Sequence, residues 1–270
     1  ALARANTPIL VTAHGADVFG LRGRVFDWLR TWVIKRCQQV TVVSRFLETT
    51  LREGGKFDTP MAVLSMGVDL KTQFVADEIT KVHGPLKIVF VGRLVEKKGV
   101  SYLIDAMAEV EVRDSHTNLT IVGDGQFRQR LENQARELGL DSKIDFVGAV
   151  AHAQVPQYLR DADIIVVPSI VAKSGDQEGL GLVTIEGMGA GCAAIASDLP
   201  AIRDVITDGE NGLLIPPNDP RALAVALHSL DQDRDELTRL KRNGATSVTA
   251  RFDWSSVSKR YVETINLLTN

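Results

Sequence analysis

The stretch Glu178-Gly-Leu-Gly-Leu-Val-Thr-Ile-Glu186-Gly-Met-Gly189 places two carboxylates eight positions apart, across a glycine-rich loop and the start of a helix. We predict that this helix begins near Leu180 and contains Glu186. Glycines on both sides of Leu180 allow another backbone or a ligand to come close. The unpaired N–H groups at a helix start suit a phosphate. Eight residues at helical rise cover about 12 Å, so the glutamates can accept hydrogen bonds from sugar hydroxyls on either side of a diphosphate. The alternative interpretation is that Glu178 is a solvated loop residue and Glu186 an ordinary exposed helix residue, because the spacing alone does not distinguish the two cases.

A hydrophobic strand, Asp163-Ile-Ile-Val-Val-Pro168-Ser169, leads into this stretch. Together they resemble the signature of the retaining family-4 glycosyltransferases, although Leu180 replaces the usual phenylalanine between the two glycines. The resemblance covers essentially the whole chain. It implies an α/β protein of GT-B fold with two Rossmann-like domains, and a nucleotide-diphosphate sugar (UDP-, GDP- or ADP-linked) as substrate. It further implies transfer with retention of anomeric configuration to a glycan, lipid-linked or small-molecule acceptor, with no metal and no other cofactor.

The composition is that of an ordinary globular protein, with 44% hydrophobic and 24% charged residues among 270. The length suffices for one large domain or two of ordinary size. No apolar run reaches the ~18 residues of a membrane span, and no signal segment opens the sequence. Only Cys37 and Cys192 are present, which favours a reducing compartment and excludes a metal site built from cysteines. We therefore expect a cytoplasmic protein.

After residue 85, short apolar strands alternate with helical segments, which is the pattern of a parallel, doubly wound sheet. We predict a partial N-terminal, acceptor-side domain with linker over 1–82 and a nucleotide-sugar-binding domain over 83–252. The resemblance implies that a last helix over 253–270 crosses back to the N-terminal domain. The predicted strands of the second domain are 86–91, 118–122, 144–147, 163–167, 193–196 and 213–215. The predicted helices are 99–112, 126–139, 154–160, 180–190, 199–206, 220–232, 234–250 and 254–268.

The N-terminal domain is predicted to be short, with strands near 8–12, 40–44 and 61–65. Members of the family begin with further βα units, which carry much of the acceptor pocket and have no counterpart before His14. A domain of ~80 residues with two or three strands has a poor core. We therefore expect a truncated N-terminal domain. Either the chain is a fragment of a longer polypeptide, or another chain supplies the missing part.

Residues 22–38 form a predicted amphipathic helix with five basic and several large apolar side chains. Residues 1–60 carry nine Lys or Arg against five Asp or Glu, whereas the remainder is acidic. No nucleic-acid motif accompanies this charge, so peripheral contact with the anionic inner face of a membrane is one expectation. The alternative, which we favour, is a helix that packs its apolar stripe on its own sheet. The basic residues are Arg22, Arg24, Arg30, Lys35 and Arg36.

The first strand of the second domain ends in Val91-Gly-Arg93, and Lys98 follows five residues after the arginine. An arginine offers a planar fork to phosphate oxygens, and a lysine offers a compact charge. A helix start does not favour two cations, which itself indicates an anionic ligand. The resemblance assigns Arg93 and Lys98 to the donor phosphates, and we expect Lys97 to be solvated. No G-x-G-x-x-G follows this strand, which argues against a dinucleotide-binding dehydrogenase.

The first strand of the chain runs into Ala13-His14-Gly15-Ala-Asp17. This position puts the imidazole at the carboxyl-end rim, where open α/β sheets bind ligands. The resemblance implies that His14 faces the donor sugar from the N-terminal side. A loop histidine bonded to a backbone carbonyl is the alternative. We interpret the other histidines as surface residues, namely His83, His116, His152 and His228.

The resemblance gives each remaining donor residue a role. Glu178 holds the hydroxyls of the donor sugar and opposes the developing positive charge, while Glu186 accepts from the ribose. The start of the helix, with Arg93 and Lys98, neutralises the departing diphosphate. Asp176 is interpreted as a solvated loop residue. The predicted catalytic residues are Glu178, His14, Arg93 and Lys98, and the other donor-binding residues are Gly15, Val150, Gly181, Leu182, Val183 and Glu186.

Two other functions remain open from the sequence. One is a nucleotide-sugar epimerase or a phosphorylase on the same fold. An epimerase needs carboxylates placed for elimination and a phosphorylase needs a lysine for pyridoxal, and no clear pattern marks either. The second is a nucleotide-sugar-binding fragment that keeps the donor half and transfers nothing.

Overall fold

Strands and helices alternate along the described part of the chain. The computed structural model describes residues 7–20, 23–55, 57–76, 78–109, 112 and 115–269. Arg22 and residues 110–111 of two predicted helices lie outside the described residues. The strands are β1 (Leu10–Ala13), β2 (Gln39–Val42), β3 (Met61–Val63), β4 (Lys87–Val91), β5 (Asn118–Val122), β6 (Ile144–Gly148), β7 (Ile164–Val167), β8 (Ala193–Ser197) and β9 (Leu213–Ile215). The α-helices are α1 (Arg24–Ile34), α2 (Arg45–Gly54), α3 (Val100–Ala108), α4 (Arg128–Glu137), α5 (Val155–Arg160), α6 (Leu182–Gly189), α7 (Pro220–Gln232), α8 (Arg234–Phe252) and α9 (Trp254–Thr269).

The described strands form two parallel sheets. The first has the order β1-β2-β3, and the second has the order β6-β5-β4-β7-β8-β9. The direction of winding reverses between β4 and β7, so the carboxyl ends of these strands form the switch point at which doubly wound sheets bind ligands. The predicted strand–helix alternation and the parallel C-terminal sheet are confirmed.

The centre of the second sheet is covered on both faces. Every residue of Ile164–Val167 and of Ala193–Ser197 is buried, which explains why these strands have unbroken apolar sequences without alternation. Two buried clusters result. One lies on a single side of the second sheet, and the other joins both sheets, with Val42 of β2 and Ile165 of β7 in the same cluster. One hydrophobic core therefore contains residues of both sheets.

Two helix predictions need correction. Helix α6 begins at Leu182 and not at Leu180, because Gly181 has a left-handed backbone with φ of 78°. The predicted helix over 199–206 is only a 3-10 turn, Ile202–Asp204. The side chain of Asn211 accepts from the Thr207 N–H at 2.7 Å and donates to a carbonyl at the end of the turn, so this backbone is held in a loop.

Helix α1 packs on the first sheet with only part of its apolar surface. Ile34 is 3% exposed, whereas Val25, Trp28 and Trp32 are 68%, 62% and 44% exposed. The helix therefore packs on its sheet through part of its apolar face and leaves the rest exposed. Contact of this exposed part with a membrane stays a prediction. No helix in the described ranges is long and apolar enough to span a bilayer.

The two sheets meet where two glycine backbones touch. A Cβ built on Gly179 would lie 2.9 Å from Cα and 3.1 Å from N of Gly15. A Cβ on Gly15 would in turn lie 3.1 Å from Cα of Gly179. The glycine-rich loop thus allows a close backbone approach, as the sequence predicts. This contact joins the loop before α6 to the turn after β1.

The last helix returns to the first sheet. The chain forms an isolated parallel bridge between Val68 and Asp253, with the Val68 N–H donating to the carbonyl of Phe252 at 2.9 Å. The ring of Trp254 lies against Gly67, whose added Cβ would be 2.7 Å from the indole. Helix α9 therefore begins beside the segment that follows β3. The domain boundaries given above remain a prediction.

We predict that Gly179→Ala destabilises the fold by about 1–3 kcal/mol, because its methyl group meets backbone atoms that cannot rotate away. The matched control is Gly54→Ala at the end of α2, where an added Cβ has no neighbour within 4 Å. Gly54→Ala should be neutral or slightly stabilising. Chemical denaturation of both variants measures the difference, and equal free energies of unfolding would contradict the close contact.

Candidate functional site

A cleft of about 450 Å³ lies between the two sheets, at the carboxyl ends of β1 and β4. It collects nearly all the residues that the sequence assigned to a donor site. Val150 is the exception, because it packs against the shared core and is not part of the lining. The predicted residues that line the cleft are His14, Gly15, Arg93, Lys98, Glu178, Gly181, Leu182, Val183 and Glu186.

His14 enters the cleft from the first sheet. It follows the last residue of β1, and its backbone N–H donates to the Asp17 carboxylate at 2.7 Å. The Asp17 N–H returns a bond to the His14 carbonyl at 3.2 Å. This reciprocal pair fixes the turn, and the exposed imidazole stands opposite the residues of the second sheet.

The central polar contact of the cleft is an ion pair between Lys98 and Glu178. Lys98 Nζ lies 2.6 Å from Glu178 Oε1, and the two side chains are only 16% and 10% exposed. The hydroxyl of Ser169 lies 3.4 Å from the same oxygen. The sequence placed these two residues in one site but did not predict that they contact each other. Two largely buried charges of opposite sign stabilise each other there, because either one alone would be costly to desolvate.

The position of Lys98 depends on the glycine that follows it. Gly99 has a left-handed φ of 63°, and a Cβ there would lie 1.9 Å from the carbonyl oxygen of Pro168. Only glycine lets the turn Glu96–Lys98 cross the end of β7 this closely. The crossing brings the ammonium group of Lys98 over the loop that carries Glu178.

A neighbouring ion pair corrects the prediction for Lys97. Lys97 was expected to be solvated, but its side chain is 17% exposed and its Nζ lies 3.1 Å from Asp176 Oδ1. Asp176 is its ion-pair partner, and the Asp176 side chain remains 40% exposed. Lys97 and Lys98 lie on one segment and Asp176 and Glu178 on another, so each lysine pairs with one carboxylate. Sequence spacing alone did not reveal this pairing because the partners are 79 and 80 positions apart.

Arg93 and the start of α6 supply the remaining donors. Arg93 is exposed in the cleft, and its guanidinium has no ion-pair partner among the residues that the structure describes. Gly181, the residue at the start of α6, has no side chain to cap the helix, and Leu182 and Val183 of the first turn line the cleft. Unpaired N–H groups at a helix start favour an anion. The geometry therefore offers a free guanidinium and a helix start to one ligand.

Glu186 also lines the cleft, with its side chain 16% exposed. Burial raises the pKa of the Glu186 carboxyl above its ordinary value, while His152 and Lys98 lower it in part. The Nε2 of His152 lies 3.8 Å from Glu186 Oε1. The ring of His152 also packs edge-on to Phe74, with centroids 5.6 Å apart.

His152 is a charged or polar lining residue of the cleft that sequence analysis did not assign to the site. It was interpreted as a surface residue, and its side chain is indeed 68% exposed, yet it lines the cleft beside Glu186. The available signal was its place just after β6, at the carboxyl edge of the sheet. Within the described ranges, no group of three or more His, Cys, Asp or Glu is arranged to hold a metal ion.

Comparison with known families gives two matches. The family described as "Glycosyl transferases group 1" matches residues 72–247, and the family "Glycosyltransferase Family 4" matches residues 1–72. The chain is 33% identical over 263 residues to a phosphatidyl-myo-inositol mannosyltransferase of Mycobacterium leprae, covering 96% of this chain and 67% of that protein. It is 28% identical over 186 residues to the amylovoran biosynthesis glycosyltransferase AmsK of Erwinia amylovora, covering 69% and 46%.

Solved structures resemble the fold. HepE of Anabaena, in complex with UDP and glucose, superposes with a TM-score of 0.82 at 20% identity, covering 96% of this chain and 71% of that one. A sucrose-phosphate synthase of Thermosynechococcus elongatus superposes with a TM-score of 0.81 at 26% identity, covering 96% and 67%. The chain spans about half the length of several curated relatives.

We predict that Glu186→Gln raises the melting temperature near neutral pH, because it removes a carboxylate whose ionisation is opposed by burial. Since the pKa is raised from the ordinary value of 4.5, the gain should appear as the pH rises above that value and vanish at about pH 3, where the carboxyl is protonated in both the folded and the unfolded state. Thermal melts at the two pH values measure it. The control is Glu263→Gln, which removes an exposed carboxylate. A gain of equal size at both pH values would contradict the assignment.

Proposed function

Because the chain belongs to the glycosyl transferases group 1 family, we propose that it binds a nucleotide-diphosphate sugar in this cleft and serves a retaining sugar transfer. The recognised family and the α/β, GT-B fold are confirmed by the family matches and the structural neighbours. The reaction breaks the bond between the anomeric carbon and the β-phosphate oxygen. The nucleoside diphosphate leaves with the electron pair, and an acceptor hydroxyl forms the new bond after losing its proton.

The observation that carries this proposal is the buried Lys98–Glu178 pair beside an unpaired Arg93 and an uncapped helix start. A diphosphate offers Lys98 a second anionic partner without taking its charge into solvent. Arg93 adds a bidentate contact and α6 adds N–H donors. Preorganised positive charge of this kind stabilises the diphosphate as it departs. In our proposal it performs the task that a divalent cation has in other transferases.

The carboxylates receive different tasks in the proposal. Glu178 lies beside Lys98 and faces His14 across the cleft, so we assign it to the hydroxyls of the donor sugar and to the developing positive charge at the anomeric carbon. Glu186, four residues into α6, is assigned to the ribose. His152 stands beside Glu186 and is assigned to the same end of the nucleotide. His14 positions the sugar from the first sheet.

We base the proposed nucleotide and the proposed acceptor on the relatives. HepE was solved with UDP, with UDP-glucose, and with UDP and glucose, so UDP is the first nucleotide to test. The name of AmsK refers to polysaccharide assembly, which favours a glycan or lipid-linked acceptor. The exposed Trp28 and Trp32, together with the basic residues of α1, would suit peripheral contact with an anionic membrane at its inner face.

A second candidate function is donor binding without transfer. The first sheet has three described strands, and an apolar hollow of about 340 Å³ opens beside the edge strand β1. Val11, Phe26 and Leu29 line this hollow. An open apolar face next to a sheet edge is typical of a surface that pairs with another segment or another chain. This candidate predicts nucleotide affinity without turnover of the donor onto any acceptor.

Arg93→Ala should weaken UDP binding by about 1.5–3 kcal/mol, because it removes hydrogen bonds from a guanidinium to phosphate. Isothermal titration measures this, and the wild-type affinity should fall as salt is added. The matched control is Arg136→Ala, which removes the same charge from the exposed face of α4. Equal affinity in the wild type and the Arg93→Ala variant would overturn the site.

Glu178→Gln and Glu186→Gln should separate the two carboxylates. Glu178→Gln keeps a hydrogen-bond acceptor for Lys98 but removes the competing charge, so UDP affinity should be unchanged or higher while sugar transfer falls. Glu186→Gln should weaken UDP itself. Titration with UDP and a radiolabelled-donor assay with soluble and lipid-linked acceptors measure the two effects. If Glu178→Gln weakened UDP as much as Glu186→Gln does, the proposed direction of the donor would be wrong. UDP binding without transfer in the unmodified chain would favour the second candidate.

A further inference from the structure

A second cavity, of about 690 Å³, lies where the first sheet, the turn after β8 and the last two helices meet. It shares no lining residue with the donor cleft. Four arginines from separate segments converge on it, against one lining aspartate, Asp204. We call it the arginine pocket, and its four arginines are Arg45, Arg203, Arg251 and Arg260.

Few of these charges are neutralised within the described chain. Arg203 forms a bidentate contact with Asp198, at 2.6 and 2.7 Å. Asp204 receives the backbone N–H of Arg45 at 2.5 Å. The guanidinium of Arg45 itself has no ion-pair or hydrogen-bond partner among the described residues. The Asp204 carboxylate therefore accepts from the backbone of Arg45, and the Arg45 guanidinium remains available to a ligand.

The two arginines of the last helices bond to neutral groups. Arg251 donates to the carbonyl oxygen of Asp204, and Arg260 donates to the carbonyl oxygen of Arg251 at 3.0 Å. Carbonyl oxygens orient these guanidinium groups but do not cancel their charge. Burial lowers the pKa of Arg251, the Asp204 carboxylate opposes this, and the nearby cations Arg45 and Arg260 lower it further. The cations in this pocket thus repel one another.

Three hydroxyl groups complete the lining. Ser65, Thr207 and Ser256 come from the segments after β3, after the turn and at the start of α9. None of these hydroxyls has a hydrogen-bond partner in the part of the chain that the structure describes. Hydroxyl and guanidinium donors around one cavity match the several lone pairs of a tetrahedral oxyanion.

We propose that the arginine pocket binds a phosphate group of a second ligand, distinct from the donor nucleotide. The ends of β2 and β3 serve both cavities, because Val43 and Met66 line the donor cleft while Arg45 and Ser65 line the arginine pocket. The second ligand therefore lies beside the donor across these strand ends and contacts both sheets. Its phosphate belongs either to a soluble phosphorylated compound or to a lipid headgroup. This inference does not depend on sugar transfer.

Pyrophosphate is the probe, titrated into the 270-residue chain and into three variants. Arg93→Ala removes a cation of the donor cleft, and Arg45→Gln with Arg260→Gln removes two from the arginine pocket. Arg52→Gln is the control, because Arg52 lies on the same helix as Arg45 but pairs with Glu48 outside the pocket. We expect binding at the arginine pocket to persist in Arg93→Ala and Arg52→Gln and to weaken about tenfold or more in Arg45→Gln/Arg260→Gln.

Thermal melts of each variant without ligand establish that it is folded. Arg45→Gln alone serves if the double variant is not, since the Arg45 guanidinium forms no hydrogen bond or ion pair among the described residues. Pyrophosphate binding that is abolished by Arg93→Ala and unchanged in Arg45→Gln would overturn the proposal. Flotation with vesicles of equal parts phosphatidylcholine and phosphatidylglycerol identifies the source of the phosphate. If Arg45→Gln abolishes vesicle binding, the phosphate belongs to a lipid headgroup. If Arg45→Gln weakens pyrophosphate binding but the chain does not bind vesicles, the ligand is a soluble phosphorylated compound.

Discussion

The structure depends on one steric constraint, the contact of two backbones at Gly15 and Gly179. Neither position has room for a side chain, because the atoms that it would meet belong to the other backbone. This contact sets the distance between the sheets and so the width of the cleft. His14 stands next to one glycine and Glu178 next to the other, so the same contact places opposing site residues across a narrow gap.

The lysines of the cleft are paired with carboxylates of the same cleft. Lys98 and Glu178 stabilise each other in a largely buried position, where an isolated charge would be costly. Lys97 and Asp176 form a second pair at the rim. Such pairs keep the lysines oriented without fixing them to one partner. Charge therefore accumulates in this cleft without the desolvation cost that unpaired cations would bring.

Much of the fold and most of the site could be read from the sequence, for identifiable reasons. Buried parallel strands give unbroken apolar runs, and Pro220 after Asp219 marks the start of α7. Contacts between distant segments left no such pattern. The Lys98–Glu178 pair, the place of His152 and the convergence of four arginines each require the folded chain. The 3-10 turn at Ile202–Asp204 was mistaken for a helix because the Asn211 side chain that ends it lies further along the sequence.

The positions of the indole rings have a spectroscopic consequence. All three tryptophans are exposed, two on α1 and Trp254 at the start of α9, and none lines the donor cleft. Intrinsic fluorescence is therefore dominated by solvated indoles and is insensitive to direct contact with a nucleotide. Trp254 lies against Gly67, where the last helix meets the first sheet. Trp254 therefore serves as an internal probe of the contact between α9 and the segment that follows β3.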